Sequence, residues 1–99
     1  MAKDIVWSAL AKKELRDVLN SSRQSDGNNQ YGKKLHEQIQ DVLHRISLNP
    51  FIGQVTELEN VRYVMPNRDY SLFYRHSLQR IEVLVLWNNK QTIGKLVLL

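Results

Sequence analysis

Six cations and three phenols are crowded into the C-terminal forty residues of this chain, and four of the cations are placed to do chemistry. Arg62, Arg68, Arg75 and Lys90 lie on or beside predicted strands that also carry Tyr63, Tyr70 and Tyr74, with Trp87 closing the last strand. Arg and Lys can neutralise phosphate or a developing phosphorane charge, and aromatic faces can stack bases. Strand aromatics also serve as packing, and an arginine at a sheet edge also serves solubility. Both readings stand at this point.

The other familiar chemistries fit poorly. His36, His44 and His76 suggest no metal site: His36-Glu37 opens like a zinc-protease helix, but Gln40 stands where the second histidine belongs. The four glycines are scattered and form no phosphate loop, and no serine sits in a nucleophile-elbow sequence. Without cysteine there are no disulfides, thiolate metal ligands or cysteine nucleophiles, which fits a reducing compartment. No cofactor is implied. The N-terminal residues lack a signal-type apolar run, and no segment reaches the length of a membrane span, so the expectation is a cytoplasmic protein away from membranes.

Charge divides the chain in two. Residues 1–59 hold eight basic and eight acidic side chains, whereas residues 60–99 hold six basic and two acidic ones, which accounts for the whole net charge of +4. Such a bias attracts polyanions or an acidic protein, and it also keeps a protein soluble. Ninety-nine residues suffice for one core, so a single domain over 1–99 is expected.

The elements that must position these side chains read in order. Asp4 to Trp7 suits a short opening strand, and Ser8 can cap a following helix. Ala11, Leu15, Val18 and Leu19 fall on one helical face, and this helix is expected to fail around Asn20. Tyr31, Leu35, Ile39, Val42, Leu43 and Ile46 make a second apolar stripe, ended by Asn49-Pro50. Lys33–Glu37 and Asp41–Arg45 are expected ion pairs on its wet side. Val61–Met65, Tyr70–Arg75 and Arg80–Trp87 then read as strands. The last is apolar on both parities, which predicts cover on both faces. Ile93–Leu99 reads as an edge strand or extended tail, within which Leu96–Leu99 is an apolar strip suited to docking.

This order is similar to the RelE/ParE superfamily, the toxins of type II toxin–antitoxin modules. The features that carry the resemblance are Asn49-Pro50-x-x-Gly53 after the second helix, the Tyr70-Ser71-Leu72-Phe73-Tyr74 strand and the Trp87-Asn88-Asn89-Lys90-Gln91 turn. It implies an α+β fold: an antiparallel sheet of four or so strands with an N-terminal two-helix hairpin on one face. It also implies growth inhibition, neutralised by a cognate antitoxin with which the chain can form oligomers. One branch cleaves messenger RNA in the ribosome, and the other poisons DNA gyrase; a third reading is a non-toxic relative that acts only with its antitoxin. A ribonuclease would draw on Arg62, Arg68, Lys90, Tyr70 and Tyr74. The gyrase branch would use Arg62, Arg68, Arg75, Trp87 and Lys90 only as contacts to target or antitoxin. No tyrosine follows Tyr74, and Pro66 occupies the place of a catalytic arginine. Those departures weigh toward the ParE-like branch.

Overall fold

The computed structural model describes residues 3–26 and 30–90, with side chains at 22–26 excepted. Strand β1 (Asp4–Trp7) leads into helices α1 (Ala9–Asp26) and α2 (Gln30–Leu48). A single 3-10 turn (Pro50–Ile52) and the two-residue strand β2 (Gln54–Val55) precede β3 (Val61–Asn67), β4 (Tyr70–His76) and β5 (Arg80–Asn88). The expected edge strand at 93–99 lies outside the described residues.

Ser8 caps α1 as its type predicts: its Oγ accepts from the Ala11 N–H at 3.0 Å and donates to the Leu84 carbonyl at 2.8 Å. The helix then runs past Asn20 to Asp26. Ser, Arg and Gln are only mildly unfavourable in a helix, and the first strong breaker is Gly27. In α2 Leu35, Ile39, Leu43 and Ile46 of the expected stripe are buried, whereas Tyr31 is exposed and Val42 half-buried. Of the expected ion pairs on α2, Asp41–Arg45 forms at 3.1 Å, while Lys33 and Glu37 do not come within bridging distance. Exposed pairs give little energy and cost side-chain entropy, so either outcome is cheap.

The sheet has five strands in the order β1-β5-β4-β3-β2, and it is mixed. β1 runs parallel to β5, with Asp4 opposite Arg80 and Trp7 opposite Val83, whereas every other pairing is antiparallel. This corrects the expected wholly antiparallel sheet. Apolar alternation reports which residues are buried but not the direction in which a strand meets its neighbour. Two irregularities adjust the register. Pro66, which has no N–H to give a ladder, falls where the β3–β4 pairing slips between Val64 and Asn67. Between β4 and β5, Phe73 opposes Val85 while Tyr74 opposes Val83, so Leu84 is the extra residue of a bulge.

That bulge helps β5 serve two apolar layers. Ile81, Val83 and Leu86 join Leu72, Tyr74 and the stripes of α1 and α2 in the main core. Val85 and Trp87 join Phe73, Tyr63 and Leu84 in a second cluster. The reading of β5 as covered on both faces is therefore met. Beyond the end of β1, the edge of β5 is completed by side chains: Leu86 N–H donates to Glu14 Oε1 at 3.0 Å.

The turn that follows α2 is tied to the sheet by one phenol. Tyr74 is wholly buried, and its hydroxyl donates to the Pro50 carbonyl at 2.6 Å and accepts from the Gly53 N–H at 3.1 Å. A Cβ on Gly53 would lie 2.6 Å from that hydroxyl and 2.9 Å from the Tyr63 carbonyl, so the position tolerates no side chain.

Two predictions follow from these contacts. Tyr74→Phe leaves a buried carbonyl and N–H without their partner and should cost about 1–3 kcal/mol in urea unfolding. A cost within error of zero would remove the phenol from its structural place. Burial, partly opposed by the Leu86 hydrogen bond, holds the Glu14 carboxyl above the usual glutamate pKa. A raised acid binds its proton more tightly in the folded state, so its stability contribution is full below the unfolded pKa and is lost as pH rises through the folded one. Glu14→Gln keeps an acceptor for Leu86 and loses the charge. It should therefore gain on the wild type between about pH 4 and about pH 7, whereas Glu14→Ala should lose at both.

Candidate contact surface

The sequence singled out cations, and the structure sorts them by what they already hold. Arg62 projects from β3 toward the 3-10 turn, where Nη1 donates to the Gly53 carbonyl at 2.8 Å and the Phe51 carbonyl at 3.2 Å. Its guanidinium carbon stands 5.2 Å from the Phe51 ring centroid. Arg75 is paired with Glu82 across β4 and β5 at 3.5 Å. Arg68 and Lys90 are exposed, and neither forms an ion pair with a described residue.

Arg68 and Lys90 belong to two turns at one end of the sheet, and those turns are joined. The Asn89 N–H donates to the Asp69 carbonyl at 2.8 Å, and its Nδ2 donates to the Arg68 carbonyl at 3.1 Å. Its Oδ1 accepts from Ser71 Oγ at 2.7 Å. Asn67 Oδ1 accepts from the N–H groups of Asp69 and Tyr70, which closes the β3–β4 turn. Asn67 Nδ2 also reaches Gln38 Oε1 on α2 at 3.2 Å. Tyr31 completes the mount, donating its hydroxyl to Asp69 Oδ2 at 2.9 Å. The sequence reading missed Asn67, Asn89, Ser71 and Tyr31. The signal was present for Asn67, whose side chain closes its own turn, but not for Asn89, whose side chain bonds Arg68 and Ser71 on the neighbouring turn.

Three phenols, Tyr31, Tyr70 and Tyr74, are held above the ordinary tyrosine pKa. Tyr31 is pushed up to about 12 by burial and by its bond to Asp69. Tyr70, half-buried against the main core, is raised by burial and by the Asp69 charge. Tyr74 is raised by burial, opposed by the Gly53 bond and the Arg62 charge. Trp87, 9% exposed, packs in the second cluster, and Tyr63 lies against Phe73 with ring centroids 5.3 Å apart. The three arginines and the lysine therefore do not form one cluster. Arg68 and Lys90 share one end of the sheet, and Arg62 serves the other.

The helical layer carries cations that the sequence reading left aside. A cavity of about 430 Å³ is lined by Trp7, Leu15 and Leu19 together with Lys12, Arg16 and His36. A smaller one of about 260 Å³ continues past Lys33 and Glu37. Among the described residues, no group of three or more His, Asp or Glu is placed to hold a metal ion, and no helix is long and apolar enough to cross a membrane.

The profile of the ParE toxin of the type II toxin–antitoxin system parDE matches residues 5–93. No curated protein sequence matches the chain. Among solved structures, the fold is similar to that of the chromosomal ParDE system from P. aeruginosa, with a TM-score of 0.71, 18% identity, and cover of 88% of this chain and 96% of that one. It is also similar to the YoeB dimer from Staphylococcus aureus, with a TM-score of 0.64, 17% identity, and cover of 87% and 95%. The YoeB/ParE toxin from Agrobacterium tumefaciens gives a TM-score of 0.62, 17% identity, and cover of 87% and 98%. These likenesses are of fold. The match over residues 5–93 places the chain in the ParE toxin family of type II toxin–antitoxin systems.

Proposed function

We propose that this toxin stops growth by binding DNA gyrase, that Arg68 and Lys90 supply contacts to the target, and that an acidic antitoxin segment neutralises it. The observation that carries the reading is how the phenols and cations are committed. A metal-independent ribonuclease needs a group beside its cations that can take and return the 2′-hydroxyl proton. Tyr74 is fixed between Pro50 and Gly53, and the Tyr70 phenol is raised. What the mounted turns offer outward is fixed positive charge, which suits recognition by contact. Arg62 and Arg75 contribute to the same basic half while holding partners of their own.

An antitoxin fits the same surface by charge. Disordered acidic segments associate quickly with a basic surface and fold upon it, and their association weakens with salt. The ribonuclease reading keeps one supporting feature, the placement of Lys90 just past the last strand.

Inducing the chain alone in bacteria, with pulse labelling of DNA and protein synthesis, separates the two. DNA synthesis should fall first, and an earlier arrest of translation would transfer the assignment to the ribonuclease. Arg68→Ala with Lys90→Ala should leave the melting temperature nearly unchanged and weaken target binding by about tenfold or more, read as loss of growth arrest. Full toxicity in this double variant would displace the contact from that end of the sheet. Arg62→Ala, by contrast, should lower the melting temperature because it releases the Phe51 and Gly53 carbonyls.

A further inference from the structure

The end of the sheet away from Arg68 and Lys90 carries an exposed apolar face that the proposed function does not use. Phe51 and Val55 are 63% and 68% exposed, and Ile52 and Leu58 are 43% and 40% exposed. Phe51, Val55 and Leu58 line one cavity of about 250 Å³ together with Glu59, Arg62 and His76. Strand β2 is the last of the sheet, and its outer edge has no neighbour among the described residues. An uncovered edge strand flanked by apolar side chains is a template for another strand.

We infer that this face pairs two copies of the chain, edge strand β2 against edge strand β2 about a two-fold axis. Charge selects the occupant. Glu59 and Arg62 lie on one cavity and bear opposite signs, and they do not pair within the chain. Arg62 uses only Nη1 for the Phe51 and Gly53 carbonyls, which leaves Nε and Nη2 to donate. A face that holds both signs is self-complementary: a two-fold sets Glu59 of each copy toward Arg62 of the other, forming the contact twice. A strongly acidic partner, of the kind the basic turns attract, would meet Glu57 and Glu59 here. Two copies related in this way pair β2 antiparallel and continue the two sheets into one. β3 spans seven residues, so its two ends, one near β2 and the other at the basic turns, are about 20 Å apart. The dimer leaves the basic turns open.

Sedimentation velocity of the purified full chain between about 1 and about 200 µM tests this. The weight-average mass should climb from monomer toward dimer, and added salt should weaken the association. Val55→Asp, at an exposed position, should keep the wild-type melting temperature and remain monomeric throughout. The chain has no cysteine, so Val55→Cys can be oxidised alone, with Leu10→Cys on α1 as the control. The first should cross-link at a rate well above the second. A wild-type chain that stays monomeric, a dimer that survives Val55→Asp, or equal cross-linking of both cysteine variants would each overturn the pairing.

Discussion

The structure depends on a single buried hydroxyl. Tyr74 stands in the middle of the sheet, yet its hydroxyl is spent on the turn that follows the helical layer, donating to the Pro50 carbonyl and accepting from the Gly53 N–H. Arg62, opposite Tyr74 on β3, holds the carbonyls of Phe51 and Gly53. Between them, two side chains satisfy four backbone groups in a segment too short to form a ladder of its own. Unpaired, those groups would resist burial. Paired, they fix the turn, and with it the angle at which α2 delivers the chain to β2 and β3.

Much of this was legible beforehand, because periodicity and breakers are local. The stripe of α2, the capping by Ser8, the stop at Asn49-Pro50 and the two-sided character of β5 all follow from residue type and spacing. What was not legible depends on partners distant in sequence. The parallel meeting of β1 with β5, the two-residue β2 and the extension of α1 through a polar run are decided by neighbours or by a missing breaker. The same limit applies to the basic surface. Arg62, Arg68, Arg75 and Lys90 look equivalent as letters. Only the fold reveals that Arg62 holds a turn, that Arg75 answers Glu82, and that Arg68 and Lys90 are carried on linked turns.

The two ends of the sheet are thus built for different work by the same economical device, an asparagine or glycine where the backbone must bend. Asn67 and Asn89 bind turns at the cationic end. Asn49 caps the 3-10 turn by accepting from Phe51 N–H, Gly53 leaves room for a phenol, and Asn60 enters β3 with a positive φ of 63° at the other. The family membership gives this arrangement its context, and the polar mounts explain how a chain with modest net charge can present a defined pair of cations.

The parallel pairing of β1 with β5 also sets a timetable. Arg80 follows Asp4 by 76 positions, so the first described strand docks only on the last described one. Contacts this distant in sequence are formed late, because the intervening chain must be ordered or looped out before they repay its entropy. Until β5 has emerged, the helices have only part of their floor, and neither the Asn89 weld nor the full main core can exist. A chain that has not yet made β5 is therefore an incomplete object. The basic turns are joined only when the strand that bears Trp87 slots between β1 and β4.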